Sequence, residues 1–243
     1  WNLAKTPFNE SKGAIGLTYT SWLKRLGLND VYLASLSGYY KLDDIQAIST
    51  SMRYFNLGKI VLTDFSGNDI GNTRTREFGV DCGYSRKLSD KVGLGIALRY
   101  IYSNLVGGQN VNGTTYKAGN SVAGDLSFYY NGANEAGNGF SAGATLTNLG
   151  TKIGYTTDAN QKDFIPANLG LGAAYTKVFD ESNKITFGMD FNKLMVPTPP
   201  LQGDSAGLAE YRSKSVVNSW FSSFTDAPGG FSEELREWTI STG

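Results

Sequence analysis

The chain has 243 residues, no histidine and one cysteine, Cys82, and its 22 Lys and Arg balance 22 Asp and Glu. That balance removes any global field drawing in nucleic acid or acidic ligands, and a lone cysteine excludes a disulfide framework or a Cys-rich zinc site. Thirty Gly, 14 Tyr and 13 Phe beside only 18% charged residues are too Gly-rich and aromatic for a helical domain. Cys82 reads as a small apolar side chain, since no neighbouring residue supplies a base for it.

No run of about 20 apolar residues exists, so no transmembrane helix is expected; barrels span by alternation and escape that test. The chain has no starting Met and no signal peptide. It opens at Trp1-Asn2 and stops at Thr242-Gly243 within an expected strand, so the expectation is a single domain over 1–243, truncated at both ends.

In chain order, strands are expected near 13–23, 31–41, 45–56, 59–66, 75–88, 91–105, 118–131, 139–149, 167–178 and 184–193, with an eleventh starting near 235. The signal is period two. Over 91–104 the even positions are Val92, Leu94, Ile96, Leu98, Tyr100 and Tyr102, and the odd ones are Gly93, Gly95, Ala97, Arg99, Ile101 and Ser103. The split recurs around Phe78–Tyr84, Val122–Tyr130 and Ile185–Phe191. Such alternation places two different environments on the two faces of each strand. The second face holds Gly, Ala, Ser and isolated charges, which suits a narrow, filled lumen. Tyr84, Tyr100, Tyr102 and Tyr130 fall on the bulky face near strand ends, where an interfacial aromatic girdle would sit. A soluble β-sandwich is the competing reading.

The connections alternate short and long. Short ones are 88–91, 134–137 and 180–183; long ones are 66–74, 105–118, 150–166 and 194–234. Membrane barrels pair tight turns at one end with longer loops at the other, whereas a sandwich has no reason to lengthen every second connection. The expected fold class is therefore all-β, an antiparallel transmembrane β-barrel with a helical extracellular loop. That loop is 194–234: Pro197-Thr198-Pro199-Pro200 ends a strand, and Val216, Val217, Trp220, Phe221 and Phe224 at helical spacing predict a helix near 207–224. Ser232-Glu233-Glu234-Leu235 predicts a short capped turn. The helix could fold over the barrel mouth as a plug, dock a partner, or do both.

Chemical motifs are sparse. Gly139-Phe140-Ser141-Ala142-Gly143 matches a nucleophile elbow in letters only, because it lies in an alternating strand and no His is present. Gly170-Leu171-Gly172 fails as a dinucleotide fingerprint. Arg53, Glu77, Asp81, Arg99, Asp125 and Asp190 share the second face and read as a structural charge network filling a polar lumen. Asp43-Asp44, Asp64 and Asp69 at turns make a weak calcium reading, and Asn112-Gly113-Thr114 a glycosylation-acceptor match. No metal or other cofactor is expected.

A run of segments resembles the PorV proteins of the type IX secretion system. They are Trp1-Asn2-Leu3-Ala4-Lys5, Gly38-Tyr39-Tyr40-Lys41-Leu42-Asp43-Asp44, Arg53-Tyr54-Phe55, 83–90 from Gly83 to Asp90, Arg99-Tyr100-Ile101 with Ser103-Asn104-Leu105, Phe164–Leu169, and Asp190–Leu194 followed by Val196–Pro200. The resemblance implies a FadL-like outer-membrane barrel of fourteen strands, so eleven here would leave about three beyond Gly243. It implies a non-enzymatic protein that binds C-terminal signal domains of secreted proteins. It also implies association with the giant translocon barrel and delivery of substrates to a sortase-like attachment complex. Outer-membrane lipid is then a further partner and nucleic acid is not. Tyr155, Phe164, Trp220, Phe221 and Phe224, aromatic residues of the long loops, are the expected partner contacts, as aromatic anchors are common hot spots. The alternative is a FadL-like channel for hydrophobic small molecules, which the charged second face opposes.

Overall fold

The computed structural model describes residues 2–63, 66–105, 108, 110–111, 113–158 and 160–243, with the side chains of Ile70 and Val111 excepted. Trp1, Asp64 and Asn112, singled out above, lie outside the described residues. Strands come in the order β1 (Gly13–Ser21), β2 (Val31–Lys41), β3 (Gln46–Thr63), β4 (Asp69–Lys87), β5 (Val92–Asn104), β6 (Asn110–Val111), β7 (Thr114–Thr115), β8 (Gly119–Asn131), β9 (Gly139–Gly150), β10 (Ile153–Gly154), β11 (Lys162–Asp163), β12 (Asn168–Val178), β13 (Lys184–Leu194) and β14 (Thr239–Thr242). Ten of them form one antiparallel sheet in the order β1-β2-β3-β4-β5-β8-β9-β12-β13-β14, each pairing with its sequence neighbour; β6-β7 and β10-β11 are two-residue ladders within connections. The sheet is barrel-like, with β1 and β14 at its two edges rather than paired to each other.

Its curl is visible in what the interior shares. One chamber of about 410 Å³ is lined by residues of nine strands, from Thr18 on β1 to Asn192 on β13, which only a strongly wrapped sheet permits. Burial is inverted relative to a soluble sandwich. On the convex face Leu98 is 71% exposed and Phe187 67%, while on the concave face Ala97, Ser85, Ser103, Ser121 and Asp125 are all buried. A sandwich would bury the bulky face. This sheet presents it outward.

Ten strands replace the expected eleven because 45–56 and 59–66 are one strand. Gly58 reads as a break but forms a β-bulge: Asn56 pairs with Arg76 and Gly58 with Thr75, leaving Leu57 as the extra residue. Gly58 has φ +84°, its N–H donates to Asn56 Oδ1 at 3.0 Å, and Lys59 N–H donates to Asp30 Oδ2 at 2.9 Å. Strand β4 likewise starts at Asp69 rather than 75, inside the expected long connection 66–74. Short connections at the other end (42–45, 88–91, 132–138, 179–183) are closed by side-chain acceptors. Asp43 Oδ1 takes the N–H groups of Ile45 and Gln46, Ser89 Oγ that of Val92, and Asp180 Oδ1 those of Ser182 and Asn183. These bonds, led by the Ile45 N–H for Asp43 and the Asn183 side chain for Asp180, hold both carboxyls below their ordinary range. Asp43 and Asp69 thus serve their turns; Asp69 Oδ1 accepts from Gly71 N–H at 2.8 Å.

The N-terminal segment, unassigned by periodicity, is a 3₁₀ turn over Leu3–Phe8 seated on the concave face near the short connections. Leu3, Ala4, Thr6 and Pro7 are buried there. Asn2 Nδ2 donates to the Phe128 carbonyl at 2.7 Å and Ala4 N–H to Ser127 Oγ at 3.2 Å. Gly93 makes the fit possible: a Cβ there would lie 2.5 Å from the Ala4 carbonyl oxygen.

The expected single helix over 207–224 is two, α1 (Ser205–Ser213) and α2 (Val216–Ser222), and α3 (Phe231–Arg236) covers the predicted turn. The break has a local cause. Lys214 turns extended (ψ 137°) and Ser215 caps α2, accepting from Asn218 N–H at 3.2 Å. The strand expected near 235 starts at Thr239 because Leu235 belongs to α3.

Candidate functional site

The register of the central strands sets a charge cluster inside the sheet. Asp81 on β4 pairs with Arg99 on β5, and Asp125 lies one step along on β8, opposite Ala97. Arg99 Nη2 donates to Asp125 Oδ2 at 2.7 Å and reaches Asp81 Oδ2 at 3.5 Å; the three side chains are 18%, 11% and 13% exposed. Arg99 Nη1 donates to Asn148 Oδ1. Asn148 arrives through a second bulge: Leu126 pairs with Leu146 but Gly124 with Leu149, so Thr147 and Asn148 together face Asp125. Asn148 sits at φ +57° with its N–H donating to Asp125 Oδ1 at 2.8 Å and its Nδ2 to the Pro166 carbonyl at 3.0 Å. Ser51 Oγ completes the shell of Asp81 at 2.7 Å.

The six expected network residues therefore divide. Asp81, Arg99 and Asp125 form one ionic cluster. Arg53 lines the same chamber and, among the described residues, makes no ion pair. Glu77 joins a separate chain nearer the long connections, accepting from Ser103 Oγ at 2.5 Å, while the Tyr155 hydroxyl donates to Ser103 Oγ at 2.9 Å. Asp190 lines another chamber of about 310 Å³ with Asn2 and Lys5. Hydroxyls, amides and charges of both signs make this interior a polar one.

The long-connection end is built by side chains from distant segments. Tyr155 packs against the small apolar cluster of Ala123, Ile153 and Ile165, and burial raises the pKa of its hydroxyl. Phe164 meets Tyr211 edge-on at 5.2 Å, with Lys152 Nζ 4.1 Å from its ring centre. Lys152 Nζ donates to the carbonyls of Arg212 and Lys214 at 2.7 and 2.6 Å, capping the end of α1; burial pulls its pKa down. Arg212 Nε donates to Asp163 Oδ1 at 2.9 Å. Deeper in, Lys193 on β13 is 1% exposed and donates to Glu234 Oε2 at 2.9 Å and Glu237 Oε2 at 2.5 Å, both from the α3 region. Glu234 Oε1 also accepts from Ala227 N–H at 2.8 Å. Burial alone would raise the Glu234 carboxyl, but Lys193 and the Ala227 N–H outweigh it and hold the pKa below its ordinary value.

Of the five expected contact aromatics, Tyr155 and Phe164 are thus engaged within the molecule. Phe224 is half-buried between Trp238 and Lys193, and Trp220 is half-buried as well. Phe221 is 71% exposed, and Phe231, not among the five, is 78% exposed. Lys152, Lys193, Glu234 and Asn148 escape sequence reasoning because each acts through a partner far along the chain or through a bulge. Ser141 lies near the start of β9, paired with Asn131 and Ala174, rather than at a strand-to-helix turn.

A family model described as Type IX secretion system protein PorV matches residues 1–201. The chain belongs to the PorV family. It is accordingly a component of the type IX secretion system, associated with other components of that system. No curated protein matches it. The PorV match covers nine of the ten strands of the large sheet and the Asp81–Arg99–Asp125 cluster; α1, α2, α3 and β14 lie beyond the matched residues. Among the described residues no helix is long and apolar enough to cross a membrane, a criterion that does not bear on strands. The PorV family and the outward apolar face both fit an outer-membrane β-barrel.

Proposed function

We propose that this PorV-family chain is an integral, FadL-like β-barrel of the outer membrane that does no chemistry on its cargo. It binds the C-terminal signal domain of secreted proteins, associates with the translocon barrel, and shuttles substrates to the sortase-like attachment complex at the cell surface. The observation that carries this reading is the family match over residues 1–201, laid over a sheet whose bulky apolar residues face outward. The polar interior supports a carrier over a conduit for hydrophobic molecules, because an apolar ligand in such a chamber would desolvate Arg53 and the Arg99 cluster without replacing their bonds. The exposed aromatics Phe221 and Phe231 at the long-connection end are the contacts best placed for a protein partner.

Deletion of the gene tests the proposal in cells. Proteins bearing the C-terminal signal domain are expected to accumulate in the periplasm and vanish from the surface, with complementation restoring them. Unchanged secretion together with impaired uptake of a hydrophobic nutrient would favour the channel instead.

A further inference from the structure

Beyond the polar interior and the helical loop, the connection 22–30 between β1 and β2 has a composition that neither explains. It reads Trp22-Leu23-Lys24-Arg25-Leu26-Gly27-Leu28-Asn29-Asp30, and every residue in it is exposed. Leu26 is 75% exposed, Leu23 45% and Leu28 44%. A 3₁₀ turn over Lys24–Leu26 sits between two left-handed residues, Leu23 at φ +57° and Gly27 at φ +84°, and buries none of its own side chains. The single acid of the loop, Asp30, is engaged by Lys59 N–H, which leaves Lys24 and Arg25 as its outward charges.

The loop is bounded by the aromatic rim of the convex face. Tyr19, at the end of β1, lies 5.3 Å from Tyr32 at the start of β2, and Tyr32 lies 6.0 Å from Tyr54. The row continues through Phe78, 6.2 Å from Tyr100 and 4.9 Å from Tyr102. A belt of amphipathic rings around one end of an apolar wall marks the depth where hydrocarbon gives way to headgroups. Resting on the outer-membrane reading proposed above, we infer that the 22–30 loop is an interfacial anchor. Its leucines enter the leaflet on the long-connection side, and Lys24 and Arg25 bind phosphate-bearing lipid headgroups. Trp22 packs back on Phe55, ring centres 5.9 Å apart, but a lipid surface suits the exposed leucines and the cations, which make no ion pair among the described residues, since a fluid partner requires no matching contour. A protein partner would require one. Juxtamembrane cations add attraction to anionic lipid that weakens with salt.

The test uses the full-length protein carrying Cys82→Ser, with one environment-sensitive fluorophore at Leu26→Cys or, on the wall, at Leu98→Cys. Each is reconstituted in phosphatidylcholine vesicles with and without phosphatidylglycerol. Both labels are expected to be quenched by lipid-borne quenchers, the loop label at shallow depth and more strongly with phosphatidylglycerol. Lys24→Glu with Arg25→Glu is expected to abolish that gain at the loop and leave the wall label unchanged. A quenched wall with a water-exposed loop overturns the anchor alone, and a water-exposed wall overturns the membrane reading and the anchor together. Equal loop quenching in both vesicles overturns the role of Lys24 and Arg25. Shielding of the loop only in the presence of translocon protein overturns the lipid assignment in favour of protein docking.

Discussion

Arg99 holds two neighbouring carboxylates, Asp81 and Asp125, that would otherwise repel inside the sheet, where both are largely shielded from solvent. Replacing it with Met removes the only cation among the described residues bonded to both and leaves buried negative charge unpaired, a change that costs on the order of 3 kcal/mol. Urea unfolding in detergent should show Arg99→Met with a lower midpoint, and Asp81→Asn in the same background should recover part of the loss. No shift in Arg99→Met would mean that water, not the guanidinium, neutralises the pair. Gly93 works by absence. With a Cβ already 2.5 Å from the Ala4 carbonyl, Gly93→Leu cannot coexist with the seated 3₁₀ turn. A cysteine at position 4, in a Cys82→Ser background, should resist a water-soluble maleimide in the parent and react at least tenfold faster in Gly93→Leu. Equal reactivity would show that the turn is not held there. Arg99, Asp81 and Asp125 were legible in sequence because period two sorted them onto one face. Asn148 was not: strict alternation places it beside Leu146 on the convex face, and only the extra residue of the bulge turns it inward.

The 195–238 connection shows where local patterns run out. Pro197–Pro200 and the spacing of Val216, Trp220 and Phe224 announced a strand end and helix, and the Ser215 cap divides that helix for a reason visible in the letters. The latch that fixes the connection was not visible, since Lys193 and Glu234 are 41 residues apart and alternation offers no hint that a strand lysine will be buried. Lys193→Met leaves Glu234 buried without its cation, at a cost again on the order of 3 kcal/mol. The sign of the pH effect follows from Glu234. Its folded pKa is depressed, so its contribution is complete above the ordinary glutamate range and is lost as pH falls through the lowered value. A fluorophore on Phe221→Cys in the Cys82→Ser background should therefore gain mobility, read as falling anisotropy, as pH drops below the ordinary glutamate range. Lys193→Met should be mobile already at neutral pH. A flat anisotropy in both proteins would contradict the latch. Gly58 teaches the same lesson on a strand: a glycine between two alternating runs can end a strand or bulge it, and Asp30, 28 residues away in sequence, decides for the bulge.

Seen whole, the molecule separates its chemistry by curvature. Bulky apolar and aromatic side chains cover the convex face, small and polar ones the concave face, tight turns close one end, and the long, helix-bearing connections gather at the other. The sequence carried this plan because alternation and connection length are properties of consecutive residues. Which partner meets the long-connection end is a property of surfaces that no period encodes. Membership of the PorV family assigns the chain to the type IX secretion system, and the proposed role within it is to receive signal domains and pass them on. The most direct test is affinity purification of the full-length protein from gently solubilised outer membranes, followed by identification of what co-purifies. A very large barrel protein and proteins bearing the C-terminal signal domain are expected, with the latter reduced when Phe221 and Phe231 are both changed to Ser. An eluate containing only lipid or fatty acid would contradict that role.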